Sequence, residues 1–76
     1  MQLPAIPRPI PQPAKGVLAM RRIPVRSVAE KLGCSQEWAG RVLNGLVPAP
    51  AKFRAGLSRM LDLPEEELFR IPDHAL

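Results

Sequence analysis

The stretch V-R-S-V-A-E-K-L-G-C-S-Q-E-W-A-G-R-V-L-N-G, residues 25–45, decides the fold. Two apolar runs within it follow helical spacing, i, i+3, i+4 and i+7: Val25, Val28, Ala29 and Leu32, then Ala39, Val42, Leu43 and Leu46. A three-residue break, Gly33-Cys34-Ser35, separates the runs, and Ser35 stands where a helix N-cap belongs. The stretch therefore predicts a helix-turn-helix, two short helices joined by a turn that contains glycine.

The same signals predict an all-α chain of five short helices around one core. The pattern places the helices at about residues 14–22, 25–32, 36–44, 51–61 and 63–69. Gly45 is expected to end the third helix in the left-handed conformation. Pro64 and the three carboxylates that follow it are typical of the first turn of a helix.

Proline content predicts where the folded domain begins. Five prolines fall within residues 1–13, where they remove backbone donors and favour extended conformations. We therefore expect residues 1–13 to be a disordered, proline-rich arm, residues 14–70 to form the domain, and residues 71–76 to be a tail.

Composition argues against several classes of protein. One cysteine excludes an internal disulfide framework, and no apolar run approaches the length of a membrane span. The prolines near the amino terminus are unlike a signal peptide, so a cytoplasmic location is expected. The one histidine, His74, has no nucleophile or metal-ligand cluster beside it. We expect neither an enzyme nor a cofactor or metal site.

Cys34 is interpreted as a small apolar residue of the turn, with a redox or metal role as the alternative.

The charges are unevenly distributed along the chain. Residues 1–59 carry ten Lys and Arg against two Glu, a net +8, whereas residues 60–76 carry one Arg against five carboxylates, a net −4. Ordinary scatter of surface charge would produce such a division in some chains. Combined with a helix-turn-helix pattern, the basic body indicates a polyanionic partner contacted by one side of the molecule.

The order of these motifs resembles the Cro/repressor-type (XRE-like) helix-turn-helix family over residues 14–70. The matching pieces are V-A-E-K-L-G-C-S at 28–35, Asn44-Gly45, the prolines at 48 and 50, and P-E-E-E-L-F at 64–69. The resemblance implies a lambda-repressor-like fold that inserts its third helix into the DNA major groove. We therefore expect a small transcriptional regulator associated with the nucleoid. With 76 residues there is no room for a ligand-sensing domain, so repression by occupying an operator is expected. The excess of Arg over Lys and the abundance of Ala and Pro indicate a bacterial or phage source.

The third helix carries the predicted base contacts. Its inward face holds Ala39, Val42 and Leu43, so polar residues face outward. Arg41 can pair with guanine, Gln36 with adenine, and Glu37 with cytosine, and the resemblance places all three at base-contact positions. Glu37 has the alternative role of a carboxylate that stabilises the start of the helix. Trp38 has three interpretations: it contacts a thymine methyl or sugar, it forms a dimer contact, or it packs at the edge of the core.

Phosphate contacts and a second protein copy complete the prediction. The candidates for phosphate contact are Asn44, Lys52, Arg54, Arg26 and Lys15, and about five contacts would give a slope of log affinity against log salt near −4 to −5. A homodimer on a palindromic site is expected, with Leu68, Phe69 and Ile71 as candidate contacts, although the first two equally suit the domain's own core.

The proline-rich arm is interpreted as an unstructured tail. The alternatives are insertion of Arg8 into the minor groove and recognition as a proline-rich peptide.

Two other functions fit the same pattern. A helix-turn-helix can serve as a protein-interaction module, as in an antitoxin, or as a non-specific nucleoid binder. The protein-binding version should have a more apolar outer face on the third helix. Because that face is rich in paired donors, sequence-specific binding of double-stranded DNA is preferred.

Overall fold

Five α-helices and no strand make up residues 10–70, the part of the chain that the computed structural model describes. They are α1 (Pro13–Met20), α2 (Val25–Leu32), α3 (Gln36–Leu43), α4 (Ala51–Leu61) and α5 (Glu65–Leu68). The bounds of α2 and α4 agree with the prediction, which confirms the all-helical class. The predicted tail, with His74 and Ile71, and the arm residue Arg8 lie outside the described residues.

Prolines set the start of four of the five helices. Pro13 is the first residue of α1, and Pro24, Pro50 and Pro64 are the N-caps of α2, α4 and α5, with φ between −66° and −73°. Proline suits these positions because its φ is already fixed and the start of a helix needs no backbone donor. Only α3 begins with a side-chain cap, since Ser35 Oγ accepts a hydrogen bond from the Trp38 N–H at 3.1 Å.

The folded domain begins earlier than the sequence predicted. Pro13 lies inside α1, and the Gln12 N–H donates to the Leu43 carbonyl at 2.9 Å. The Gln12 side chain also accepts from the Arg70 N–H at 2.9 Å. Residues 10–13 are therefore fixed to the domain by partners more than 30 positions away, which the local density of prolines could not reveal.

Other helix ends also differ from the prediction: α3 ends at Leu43, one residue early, and α5 spans Glu65–Leu68 instead of residues 63–69. Helix α1 ends at Met20 instead of Arg22, since Arg21 is its C-cap and Arg22 takes a left-handed φ of 58°. Gly45 has a φ of 79°, as predicted, and turns the chain away after α3. For this reason Leu46, predicted on the buried stripe of α3, is 57% exposed.

One apolar core holds the helices together. All of the buried residues in the described range are apolar: Ala14, Leu18, Val28, Ala29, Ala39, Val42, Leu43, Phe53, Leu57, Leu61, Leu68 and Phe69. Leu68 and Phe69 therefore belong to the domain's own core, and this alternative replaces the dimer contact proposed for them. The core packs α2 against both α3 and α4, and α5 against α1 and α4. No helix within residues 10–70 is long and apolar enough to cross a bilayer.

Candidate nucleic-acid interface

The outer face of α3 is the candidate interface. Its residues Gln36, Glu37 and Arg41 are exposed, and Gly40 and Asn44 are half-buried beside them. Together with Val25 at the start of α2, these five residues line one shallow depression of the surface. The periodicity of α3 requires this arrangement, because Ala39, Val42 and Leu43 occupy the opposite face and are fully buried.

Gly40 leaves space on this face. A Cβ atom built at Gly40 would meet no atom of the domain within 4 Å, so packing inside the protein does not require a glycine. A glycine in a helix interior costs about 1 kcal/mol relative to alanine. Gly40 therefore makes α3 less stable than alanine would, at a position where another molecule could approach the backbone closely.

Arg41 and Glu37 form a weak ion pair across one helical turn. Arg41 Nη2 lies 3.8 Å from Glu37 Oε2, and the two side chains are 56% and 81% exposed. Exposed pairs at this spacing contribute about 0.3–0.5 kcal/mol, so the guanidinium is easily released to a stronger partner. The same pair is consistent with both interpretations of Glu37, as a base contact and as a carboxylate at the start of the helix.

Lys15 is brought to this face from α1. Its Nζ donates a hydrogen bond to Asn44 Oδ1, although the two residues are 29 positions apart. With its oxygen accepting from Lys15, the Asn44 amide keeps its two N–H donors, the kind of group that a phosphate oxygen requires. The structure thus joins two of the predicted phosphate contacts at the C-terminal end of α3.

The other three predicted phosphate contacts have different surroundings. Arg26 is exposed on the first turn of α2, and Lys52 is exposed on the first turn of α4, where it lines a small cleft with Trp38. Arg54 is instead held inside the domain: Nη1 donates to the Ala49 carbonyl at 2.6 Å, and Nε donates to Glu65 Oε1 at 3.2 Å. Arg54 therefore acts as a structural tie between the proline loop, α4 and α5.

Trp38 packs at the edge of the core. Its ring meets Phe53 edge-on, with centroids 5.5 Å apart and planes at 78°, and Phe53 meets Phe69 in the same way at 6.0 Å. Aromatic pairs of this geometry add about 0.5–1.5 kcal/mol each beyond their burial. The row of rings ties α3 to α4 and to the end of α5, which favours the packing interpretation of Trp38 over a base contact.

Cys34 lies half-buried in the turn between α2 and α3. It packs against the core, and burial raises the pKa of its thiol above the ordinary value. A thiol that resists ionisation is a poor nucleophile and a poor metal ligand. The environment thus favours the interpretation of Cys34 as a small apolar residue.

One residue of the interface and one residue behind it were missed from the sequence. Val25 was assigned to the buried stripe but borders the depression. Gln12 was assigned to the arm but bonds the end of α3 through the Leu43 carbonyl. Only the three-dimensional structure could have indicated this hydrogen bond between residues 31 positions apart. In comparisons with known proteins, no family model, no curated protein and no solved structure matches this chain, so its resemblance to the Cro/repressor-type family stays a prediction.

Proposed function

We propose that this chain binds double-stranded DNA sequence-specifically, with a lambda-repressor-like arrangement in which α3 enters the major groove. The outer face of α3 carries this proposal. Gln36 and Arg41 offer the paired donors and acceptors that read base edges, and no apolar side chain of α3 interrupts them. Each good bidentate pair is worth about 1–3 kcal/mol of discrimination between bases.

Charges around this face suit a phosphate backbone. Lys15 and Asn44 lie at the C-terminal end of α3, while Arg26 and Lys52 project from the first turns of the neighbouring helices. With Arg54 engaged inside the domain, three cations besides Arg41 remain for phosphates. The expected slope of log affinity against log salt is therefore about −3, shallower than the sequence alone predicted.

The packing of Trp38 at the edge of the core supports DNA over a protein partner. A protein-binding version of this fold should expose apolar or aromatic side chains on α3, and Trp38 was the residue that could have supplied them. Its ring packs on Phe53 instead. As a regulator, the chain would act by occupying its site on DNA and excluding other proteins from it.

Selection of bound sequences from a random duplex pool tests the proposal. We expect enrichment of a short motif containing a guanine at moderate salt. An inverted repeat of that motif would indicate the predicted homodimer, with half-sites about 34 Å apart, and a direct repeat would indicate head-to-tail neighbours. Binding without any enriched motif would identify a non-specific binder, and no binding at low salt would overturn the proposal in favour of a protein partner.

Arg54 and Lys52 provide a matched pair of neighbouring cations on α4. Replacement of Arg54 by Gln removes the bonds to Ala49 and Glu65, so we expect it to lower the free energy of unfolding by about 1–2 kcal/mol. Replacement of the exposed Lys52 by Gln should change stability by less than about 0.5 kcal/mol. It should instead make the salt slope shallower by about 0.9.

Urea denaturation and binding to a fixed duplex at several salt concentrations measure the two effects. The single tryptophan, Trp38, reports unfolding by its fluorescence. If Lys52→Gln left the salt slope unchanged while Arg54→Gln reduced it, the assignment of the two residues would be reversed.

A further inference from the structure

A second basic surface lies between α2 and α4, apart from the candidate interface. Ser27, Lys31 and Leu32 of α2 line it on one side, and Gly56, Arg59 and Met60 of α4 on the other. We call these six residues the α2–α4 groove. It shares no residue with the depression on α3, and Arg26, the predicted phosphate contact of α2, does not line it.

The α2–α4 groove has an apolar floor and a cationic rim. Leu32, Gly56 and Met60 are half-buried, whereas Lys31 and Arg59 are exposed. The two helices approach closely at Gly56, where a Cβ atom would lie 2.5 Å from Leu32 Cδ2. Neither Lys31 nor Arg59 takes part in the two ion pairs found within residues 10–70, so both positive charges are available to a partner.

An acidic surface lies on α5. Glu66 and Glu67 are exposed, and they too are outside the two ion pairs of the described range. The exposed ring of Pro64 stands beside them at the N-cap of the helix. We call these three residues the acidic turn; it offers two carboxylates to the cationic rim and one apolar ring to the floor.

The groove and the acidic turn lie on opposite flanks of α4. Gly56 faces α2, as its approach to Leu32 shows, whereas Arg54 bonds Glu65 and Ser58 Oγ donates to the Leu63 carbonyl on the side of α5. Leu68 and Phe69, both buried in the core, fix α5 in this place. The acidic turn of one molecule therefore cannot reach the groove of the same molecule.

We infer that the α2–α4 groove of one copy binds the acidic turn of a second copy, head to tail. Because the groove and the acidic turn lie on opposite flanks of α4, one pair of copies does not engage both surfaces at once, and each copy retains a groove or an acidic turn for a further neighbour. A small contact with exposed ion pairs is weak in solution and is screened by salt. On DNA, neighbouring copies would meet at an effective concentration in the millimolar range, which makes such a contact sufficient for cooperative occupancy of tandem sites.

Sedimentation of the protein without DNA tests the contact. At low salt and up to about 1 mM protein, the weight-average mass of the wild type should rise past that of a dimer, and salt at about 0.3 M should reverse the rise. The variant Lys31→Glu/Arg59→Glu should remain monomeric, as should Glu66→Lys/Glu67→Lys. Thermal unfolding would establish that both variants are folded.

A mixture of the two variants provides the decisive arm. The acidic groove of the first variant can accept the basic turn of the second, so mixing two monomeric proteins should restore association. The matched control is Arg26→Glu/Lys52→Glu, which reverses two exposed cations outside the groove and should associate like the wild type. A monomeric wild type at low salt, a mass that stops at a dimer, or a failure of the mixture to associate would overturn the inference.

Cooperative binding to DNA is a consequence that rests on the proposed function. Two adjacent direct copies of a selected motif should bind the wild type about tenfold more tightly than independent sites, and the groove variant should lose this factor while still binding one site. Sedimentation without DNA tests self-association independently of DNA binding. If the protein associates but does not bind DNA, the inferred contact stands and only the proposed function is overturned.

Discussion

Replacement of Gly45 by Ala is expected to lower the free energy of unfolding by about 2–5 kcal/mol. Gly45 has a φ of 79°, a conformation that costs a residue with a Cβ about 1–2 kcal/mol. A Cβ atom at this position would also overlap the Ile10 carbonyl oxygen. Since that oxygen belongs to the backbone, no side-chain rotation relieves the clash, and forced displacement of packed atoms costs about 1–3 kcal/mol more.

The displacement should spread to the candidate interface. Two positions after Ile10, the Gln12 N–H donates to the Leu43 carbonyl, and Lys15 on the first turn of α1 donates to Asn44. A shift of this segment away from Gly45 would loosen the start of α1 from the end of α3. We therefore expect Gly45→Ala to weaken DNA binding even at temperatures where the protein remains folded.

Gly33→Ala is the control for backbone strain. Gly33 has a φ of 74°, close to that of Gly45, but a Cβ atom there would meet nothing within 4 Å. The loss of stability should stop at about 1–2 kcal/mol, the part due to conformation alone. Urea denaturation followed by Trp38 fluorescence measures both variants. Equal losses would show that the contact with Ile10 does not constrain the domain.

Local patterns predicted the helices well. Apolar spacing located α2 and α4, Ser35 marked the start of α3, and Gly45 marked the turn that follows it. These features depend on residues within one or two helical turns of each other, where spacing and capping chemistry act directly. The polar face of α3 was predictable for the same reason, because burial of Ala39 and Val42 leaves only one side for Arg41.

Contacts between distant residues could not be predicted in this way. The contact of Trp38 with Phe53 favours packing over its other two interpretations. Arg54 bonds Glu65 instead of standing free to contact a phosphate. The place of Gln12 likewise depends on Leu43, 31 positions along the chain. Each contact follows from how the helices pack, and apolar spacing within a single helix carries no information about that packing.

Replacement of Arg41 by Ala is expected to reduce affinity for the selected DNA motif by about 1–3 kcal/mol, or about 5- to 150-fold. The Arg41 side chain is more than half exposed on the outer face of α3, and within residues 10–70 its ion pairing is limited to the weak contact with Glu37. A planar guanidinium can donate two parallel hydrogen bonds to guanine O6 and N7. Since the side chain is more than half exposed and its ion pair with Glu37 is weak, stability should change by less than about 0.5 kcal/mol. Selection with the variant should show loss of preference at one guanine.

Arg41→Lys separates base reading from charge. Lysine keeps the positive charge but lacks the two-pronged donor geometry, so the variant should retain the salt slope and the affinity for random duplex while losing the guanine preference.

Glu37→Gln then distinguishes the two roles of Glu37. Removal of a carboxylate that only stabilises the helix should raise affinity for all duplexes alike, because one repulsion with phosphate disappears. A changed preference at a cytosine would instead identify Glu37 as a base contact. For Arg41, a selected motif that is the same in Arg41→Lys, Arg41→Ala and the wild type would show that Arg41 does not contact a base.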